Sequence, residues 1–470
     1  MKKFKSGCFL IFLAICGCTA GRKDKASTPP LPVQLWTTSG DGTQLLQPTT
    51  LAFAQGPDDR LPTIRIDAEK RFQTIEGFGY TLTGGSAALL HRMGKTERAA
   101  LLQEFFGKNA NSIGVSYLRL SIGASDLDAG VFSYDDLPAG QTDPELRHFN
   151  LSQDTLHLIP VLQEILAINP AIKFMGSPWS APLWMKTNGS SKGGELKPEF
   201  YAAYAQYFVK YIRAMQALGI RIDAVTPQNE PQHGGNNPSL VMSALQQADF
   251  IKNHLGPAFR AAGIAAKIII WDHNCDHPEY PLAILADPAA KAFVHGTAFH
   301  LYGGDVSALS QVHDAHPDQG LYFTEQWTSS EGQFGGDLNW HVKNVIIGTL
   351  RNWSRVALEW NLANDPTFGP HTPGGCTQCR GAVTIDGSRA TKNVSYYIIA
   401  QASKFVPPGS VRIDSNLPAQ LPNVAFRTPA GQTVVIVLNE GTEMKAFQVG
   451  VGGKWIGVTL AAGAVGTVMW

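Results

Sequence analysis

The sequence predicts an α/β fold, a (β/α)8 barrel of the TIM type with an appended, discontinuous all-β sandwich. Eight short apolar runs are each followed by a segment with helical periodicity, and eight such units favour a closed parallel barrel over an open doubly wound sheet. After residue 404 the helical segments stop, and short strand-like runs separated by Gly, Pro and Asn replace them. That second pattern is typical of a β-sandwich.

The eight apolar runs are predicted as the barrel strands. Several are nearly continuous in apolar residues, as strands buried on both faces of a parallel sheet are. They are Ile75–Tyr80, Tyr117–Ile122, Lys173–Trp179, Asp223–Glu230, Lys267–Asn274, Gly296–Tyr302, Leu321–Trp327 and Arg355–Leu362. Between them, Thr96–Phe106, Pro198–Leu218 and Ser239–Ala262 are predicted as helices, the last two followed by a glycine as stop signal.

Five runs near the C-terminus are predicted as sandwich strands: Val411–Asp414, Asn423–Thr428, Thr433–Asn439, Lys445–Gly450 and Trp455–Leu460. The segment Pro32–Asp67 is also strand- and loop-like, and it precedes the first barrel strand. We therefore expect it to join the C-terminal sheet. The predicted boundaries are 34–72 for the N-terminal strands, 73–403 for the barrel and 404–470 for the C-terminal part of the sandwich.

The N-terminus has the features of an export signal. Lys2, Lys3 and Lys5 precede a short apolar stretch that ends at Gly17, which suits a signal peptide and is too short to span a membrane. Ile15-Cys16-Gly17-Cys18 resembles the bacterial lipoprotein cleavage motif, which would make Cys18 the lipidated first residue. A plain signal peptide cleaved nearby is the alternative. We expect a signal peptide over 1–18, a tether over 19–33, and an exported bacterial lipoprotein held by its lipid at the outer membrane or in the periplasm.

The charge balance restricts the partners. Lys+Arg and Asp+Glu both number 38, so the formal net charge is zero. Without a basic excess the chain is not suited to a phosphate backbone, and we expect no nucleic-acid partner. A neutral substrate such as a sugar fits this balance.

Two carboxylates stand where a barrel enzyme carries its chemistry, at the C-terminal ends of strands. Glu230 ends the fourth predicted strand and Glu325 the seventh, and these strands face one another across the barrel mouth. Glycoside cleavage needs two carboxyl groups, one protonated and one ionised, and a separation of about 5–5.5 Å is typical of retaining enzymes. Asn229 can donate to the sugar 2-OH. A non-catalytic carbohydrate-binding lipoprotein should have lost one of the two glutamates.

Other strand ends supply a rim for substrate. Flat aromatic faces suited to pyranose rings are expected from Trp179, Tyr302, Trp327 and Trp360. His300 precedes Tyr302 on the sixth strand and is also assigned to substrate binding. Arg119, at the end of the second strand, is expected to support the glutamates through an ion pair, with direct sugar contact as the alternative.

These motifs resemble glycoside hydrolase family 30, which includes acid β-glucosylceramidases and bacterial β-1,6-glucanases. The resemblance covers about residues 70–470. It rests on Glu76-Gly77-Phe78-Gly79, Arg119 through Asp126, Ser177-Pro178-Trp179-Ser180-Ala181-Pro182, Trp184 through Gly189, Ala224 through Pro231, His295-Gly296, His300 to Tyr302, Glu325, Trp360 through Ala363, and Ser403 through Pro407. It implies Glu230 as acid/base and Glu325 as nucleophile, with Asp126, Trp179, Asn229 and Trp360 around the glycone.

The resemblance implies a retaining β-glycosidase that acts by double displacement, a β-glucosidase of the glucosylceramidase type that needs no cofactor. An endo-acting β-1,6-glucanase and a β-xylosidase are the alternatives. Gln228 replaces an acidic residue of the animal lysosomal enzymes, and Gln326-Trp327 replace smaller residues. Because these changes adjoin the glutamates, a β-glucoside, a glucan and a glycolipid all remain candidate substrates.

Two further motifs have competing interpretations. Asp272 through His277 looks like a metal cluster, but its spacing matches no compact zinc pattern, and a polar substrate rim is preferred. Cys376-Thr377-Gln378-Cys379 is a single CxxC motif. In an exported protein it favours a local disulfide over free thiols or a zinc site. We expect no metal.

Overall fold

The computed structural model describes residues 1–5, 7 and 32–470. The predicted lipidation site Cys18, and nearly all of the predicted signal peptide and tether, lie outside the described residues. Among the residues that the structure describes, no helix combines the length and apolar character needed to cross a bilayer.

The larger part of the chain forms a closed barrel of eight parallel strands, each hydrogen-bonded to its neighbours in chain order and the last to the first. This confirms the predicted fold class. We number the barrel strands β1 to β8. They span Gly77–Leu82, Tyr117–Ser121, Lys173–Ser177, Ala224–Val225, Lys267–Asn274, Val294–His300, Gly320–Glu325 and Ser354–Asn361.

Strand β4 is much shorter than predicted. The regular ladder ends at Val225, whereas the sequence predicted a strand as far as Glu230. Pro227 and Pro231 have no N–H to donate, so this segment cannot continue a central ladder. It stays in place through single bonds: the Thr226 N–H donates to the Gly176 carbonyl at 2.9 Å, and the Glu230 N–H donates to the Asp272 carbonyl at 3.0 Å. Glu230 therefore projects from irregular backbone clamped between β3 and β5.

Helices surround the barrel. The α-helices are Gly84–Arg92, Lys95–Phe106, Ser152–Thr155, Leu158–Ile168, Tyr201–Ala217, Ala244–Phe250, Gly256–Ala262, Glu279–Leu285, Pro288–Lys291, Ser307–Ala315, Phe334–His341, Thr349–Arg351 and Val394–Ser403. Short 3-10 turns cover Leu183–Met185 and Pro198–Phe200, and π-helical turns cover Ile251–Leu255 and Val342–Gly348. The helix predicted from Ser239 begins only after Ser243, because Ser243 and Gln246 form a capping box there.

The sandwich is built from both ends of the chain. Val33–Thr38 pairs antiparallel with Val465–Met469, and Thr63–Thr74 lies between Val411–Ser415 and Lys445–Val451. The discontinuity that the sequence predicted is thus present. The strand order in the ten-stranded sheet is Gln47–Leu51, Val33–Thr38, Val465–Met469, Thr433–Leu438, Asn423–Arg427, Val411–Ser415, Thr63–Thr74, Lys445–Val451, Lys454–Leu460, Phe53–Ala54. Two small sheets lie over the barrel mouth, Thr328–Ser329 with Cys379–Arg380, and Ala363–Asn364 with Val383–Asp386 and Arg389–Lys392.

Apolar and aromatic side chains fill the middle of the barrel and separate polar groups at its two ends. The interior cluster comprises Tyr117, Met175, Ala224, Ile269, Ala298, Tyr322, Val356 and Leu358. Below this cluster, at the N-terminal ends of the strands, the Glu76 carboxylate forms ion pairs with Lys173 Nζ at 2.9 Å and with Lys267 Nζ at 2.8 Å. This ion-pair cluster joins the starts of β1, β3 and β5 at the bottom of the barrel.

The lysines of this cluster make the fold sensitive to acid. Burial would raise the pKa of Glu76, but the hydrogen bonds and charges of Lys267 and Lys173 outweigh it and lower the pKa to about 2. The depressed pKa stabilises the folded state above the ordinary pKa of glutamate, and that contribution is lost as the pH falls towards 2.

We expect Glu76→Gln to lower the free energy of unfolding by roughly 1–3 kcal/mol at pH 7, because the variant leaves two lysines without their partner. Urea unfolding at several pH values measures this loss. The difference from wild type should shrink as the pH falls from about 5 towards 2. Glu69→Gln, at an exposed position of strand Thr63–Thr74, is the matched control and should change little. An equal loss in Glu76→Gln at every pH would contradict the ionic explanation.

Candidate active site

A cavity of about 330 Å³ opens at the C-terminal ends of the barrel strands. Most of its lining comes from strand ends and the loops that follow them, as the fold requires. The lining residues are Asp126, Trp179, Glu230, His233, Asn236, His273, Asn274, Tyr302, Glu325, Trp327, Trp360, Cys376 and Cys379. Seven of the predicted site residues thus line this cavity: Asp126, Trp179, Glu230, Tyr302, Glu325, Trp327 and Trp360.

Arg119 lies directly beneath the cavity and is completely buried. Its guanidinium donates to Glu325 Oε2 at 2.7 Å, to Asp272 Oδ2 at 2.7 Å and to Asn229 Oδ1 at 2.6 Å. Its carbon Cζ also lies 4.7 Å from the centre of the Trp179 ring, within cation–π range. Arg119 therefore orients one glutamate, one asparagine and one aromatic wall at once, and it is too deep to line the cavity.

Asp272, near the end of β5, is the main site residue whose role the sequence analysis missed, because it placed Asp272 in a polar substrate rim. It is fully buried, and its Oδ2 forms an ion pair with Arg119. Its Oδ1 lies within hydrogen-bond distance of His300 Nε2, at 3.2 Å. Three hydroxyls also donate to it, from Ser177, Thr226 and Thr324. Burial would raise the pKa of Asp272, but the charge of Arg119 and the bond from His300 hold it well below its ordinary value. Asp272 is thus a permanent anion under the site.

His300 connects this anion to the predicted catalytic pair. It is fully buried, and its Nδ1 lies 3.2 Å from Glu230 Oε1 and 3.8 Å from Glu325 Oε1. Burial would lower the pKa of His300, but the charge of Glu325 and the bonds to Asp272 and Glu230 raise it to about 9. The sequence assigned His300 to substrate binding. The structure places it behind the glutamates, where it contacts both of them and the buried Asp272.

The two glutamates are close to each other. One carboxylate oxygen of Glu230, one of Glu325 and one ring nitrogen of His300 all lie within 4.8 Å of one another. So close an approach of single oxygens favours the arrangement of retaining enzymes, whose carboxyl groups lie ~5–5.5 Å apart, over that of inverting enzymes, which leave about 6.5–9.5 Å for a water molecule. Glu230 also has a left-handed backbone, with φ of 46°. Such a conformation is uncommon outside glycine, and clusters at functional sites.

The glutamates titrate as a coupled pair. Burial raises the pKa of Glu325 to about 7, with His300 and Arg119 opposing the rise and Glu230 adding to it. Burial would also raise the pKa of Glu230, but the hydrogen bond and charge of His300 outweigh it and lower the pKa. Two like charges this close cannot both be stable, so the pair shares one proton near neutral pH.

Hydrogen bonds favour this shared proton on Glu230. Both oxygens of Glu325 accept strong bonds, one from Arg119 and one from the Tyr302 hydroxyl at 2.9 Å. Such donors stabilise the ionised form. Glu230 Oε2 has a weaker contact, with the Asn236 amide at 3.4 Å, and so has room for a proton. A proton on Glu325 would instead be directed at one of its two hydrogen-bond donors.

Aromatic side chains and a disulfide form part of the cavity lining. Trp179 and Trp360 stack with ring centres 5.3 Å apart, and Asp126 and the disulfide Cys376–Cys379 line the same cavity. Trp327 packs against the same cluster. The disulfide preferred from the sequence is therefore present, and it lines the site.

The lining near Glu230 is polar. His273 Nε2 lies 4.0 Å from Glu230 Oε1, and Asn236 approaches the other oxygen of Glu230. His233 and Asn274 also line the cavity. The sequence analysis did not single out His233 or Asn236. Their one sequence signal is their position just after Asn229-Glu230-Pro231.

The histidine- and aspartate-rich segment Asp272–His277, at the end of β5, does not gather into a metal cluster. Asp272 is buried against Arg119, whereas His273 and Asn274 line the cavity. His277 is exposed and pairs with Glu279 at 2.7 Å. The polar-rim interpretation describes this segment better, apart from Asp272 itself.

Comparison with known proteins places the chain. The glycosyl hydrolase family 30 TIM-barrel domain model matches residues 75–406, and the beta sandwich domain model of the same family matches residues 409–468. The chain belongs to glycoside hydrolase family 30. The family that the sequence motifs indicated is thereby confirmed, and the protein is a glycoside hydrolase.

The relatives carry two kinds of name. An endo-1,6-β-D-glucanase of Neurospora crassa is 38% identical over 361 residues, 74% of each chain. The solved structure of an endo-β-1,6-glucanase is 35% identical with a TM-score of 0.88, covering 93% of this family 30 chain and 99% of its own. The lysosomal acid glucosylceramidase of Mus musculus is 29% identical over 91% of this chain and 88% of its own. A family 30 xylanase of Talaromyces cellulolyticus, at 22% identity and a TM-score of 0.71, shares the fold alone.

Proposed function

We propose that this protein is a retaining endo-β-1,6-glucanase that hydrolyses glucan by double displacement. The short separation of Glu230 and Glu325 carries the mechanism. The sequence identity and the structural similarity to endo-1,6-β-glucanases support β-1,6-glucan as the substrate. The glucosylceramidase activity expected first from the sequence is the second candidate.

The polar lining near Glu230 favours a glucan over a glycolipid. A general acid protonates the leaving-group oxygen, so the leaving group departs on the side of that acid. The polar residues next to Glu230 are His233, Asn236 and His273, and Asn274 lines the same cavity. These side chains can hydrogen-bond the hydroxyls of a leaving sugar, whereas the ceramide of a glycolipid would need apolar contacts near the glycosidic bond.

The two glutamates take different parts in this mechanism. Glu325 is the nucleophile, held ionised by Arg119 and Tyr302, and it forms a glycosyl ester at the anomeric carbon. Glu230 gives its proton to the departing oxygen. Once Glu325 is esterified its charge is gone, so Glu230 as carboxylate can then accept a proton from the attacking water. His300 stays bonded to Glu230 and Asp272 through both steps.

A substrate panel tests the proposed specificity. We expect rapid release of short gentio-oligosaccharides from a β-1,6-glucan, with slower or no hydrolysis of glucosylceramide, because the leaving-group side is polar. Chromatography of the products over time separates endo from exo action. Glu325→Ala is the control for contaminating activity. Preferential cleavage of glucosylceramide would instead support the second candidate.

Azide rescue tests the two roles. Glu230→Ala should still be glycosylated by an aryl β-glucoside with a good leaving group, then stall, and azide should release a β-glycosyl azide. Glu325→Ala should be inactive on ordinary substrates, and azide should yield an α-glycosyl azide. Nuclear magnetic resonance distinguishes the two anomers. The opposite anomers would reverse the assignment.

We also propose that the mature chain is anchored to the membrane through a lipidated Cys18. The support is the Ile15-Cys16-Gly17-Cys18 motif after a short apolar stretch. Two acyl chains suffice for stable anchoring. Expressed in a Gram-negative host, wild type should fractionate with the outer membrane, and Cys18→Ala should move activity to the soluble fraction. Cys16→Ala is the matched control. Membrane retention of Cys18→Ala would contradict the proposal.

A further inference from the structure

The Cys376–Cys379 disulfide closes a four-residue turn at the wall of the cavity. Cys379 is buried in the cluster that contains Leu127, Trp179 and Trp360. Cys376 is half-buried, and Thr377 and Gln378 between them are exposed. The turn is therefore reachable from solvent at one end and built into the aromatic wall at the other.

The Cys379 end is held firmly by backbone pairing. Cys379 and Arg380 form a short antiparallel ladder with Thr328 and Ser329, which follow β7. The Asn361 amide at the end of β8 also approaches the Cys379 carbonyl at 3.4 Å. This half of the turn is tied to the same strand ends that carry Glu325 and Trp360.

The Cys376 end makes contact with Asp126. The Cys376 N–H donates to Asp126 Oδ2 at 3.3 Å, and the Thr372 N–H donates to the Asp126 carbonyl at 2.9 Å. A Cβ on Gly375 would lie 2.3 Å from that same carbonyl oxygen, so only glycine permits the approach. Burial raises the pKa of Asp126 to about 6, and the bond from Cys376 opposes the rise.

The segment before Cys376 is anchored at Thr372 and Pro373, which are hydrogen-bonded to Asn237. Two consecutive glycines follow, and Gly374 is exposed with a positive φ of 82°. Glycines give a backbone large conformational freedom. The covalent bond to the anchored Cys379 restrains the Cys376 N–H, which contacts Asp126, from the other end.

We propose that the Cys376–Cys379 disulfide is a positioning element of the glycone subsite, which fixes the orientation of the Asp126 carboxylate for a sugar hydroxyl. The inference rests on the proposed function. Neither cysteine touches the reacting atoms. The bond acts through Asp126, and because it closes a very short loop its contribution to global stability is modest.

The test compares Cys376→Ser/Cys379→Ser, Asp126→Asn and the triple variant in the full chain, with 4-nitrophenyl β-glucoside and a gentio-oligosaccharide as substrates. We expect the cysteine pair variant to raise KM by roughly tenfold with a smaller change in kcat, the loss expected for one charge-assisted hydrogen bond. In the Asp126→Asn background, the same cysteine changes should add less than about twofold. Thr377→Ala, in the same turn, is the matched control.

Chemical reduction of the disulfide compares the bonded and the open turn without mutating the cysteines. Dithiothreitol should raise the KM of wild type and leave that of Asp126→Asn unchanged, and reoxidation should restore wild type. This arm decides the question if the cysteine variant does not fold. An unchanged KM after verified reduction, or an equal loss in the Asp126→Asn background, would overturn the positioning role while leaving the glucanase proposal intact. A wild type inactive on every β-glucoside would overturn the proposed function, and the inference with it.

Discussion

The site depends on one buried cation. Arg119 is taken fully out of water beneath the barrel mouth, and removing a guanidinium from water is costly unless acceptors replace the lost hydration. Those acceptors are Asp272, Glu325 and Asn229, on β5, on β7 and in the irregular segment after β4. The positions of these three chain segments along and around the barrel axis are therefore coupled, because a shift of any one of them would leave the buried Arg119 without one of its hydrogen-bond acceptors. The barrel supplies the strands, and Arg119 sets how their ends meet.

Charge balance around Arg119 explains how two adjacent glutamates can differ. With Arg119 and His300 positive and Asp272 negative, the cluster holds one net positive charge before the glutamates are counted. One ionised glutamate neutralises it, and a second would place an excess negative charge in a buried region. The pair therefore keeps one proton. Arg119 and the Tyr302 hydroxyl bond Glu325, which supports the proposed role of Glu230 as proton carrier.

Much of this arrangement could be predicted from sequence, because it follows from local pattern. The period of apolar runs predicted the barrel, and strand-end position selected Glu230 and Glu325. Asp272 could not be found this way, since its partner Arg119 is 153 residues away in the chain and the cost of burying both is visible only in three dimensions. His300 was correctly placed at a strand end, but its ring orientation is set by Asp272. The end of β4 was misjudged for a different reason: apolar character alone does not show that Pro227 ends a ladder.

Substrate preference is the least predictable property, and the architecture explains why. The network of Arg119, Asp272 and His300 lies on β2, β5 and β6, where the barrel geometry restricts every position. The cavity walls instead come largely from segments beyond the strands: Asp126 after β2, His233 and Asn236 after β4, and the disulfide turn after β8. Loops of this kind can change without disturbing the barrel. A chain can therefore keep the bond-breaking chemistry of its family while the leaving group that it accepts changes. For this reason the polarity of the cavity wall beside Glu230 is a better guide to the leaving group than the two glutamates are.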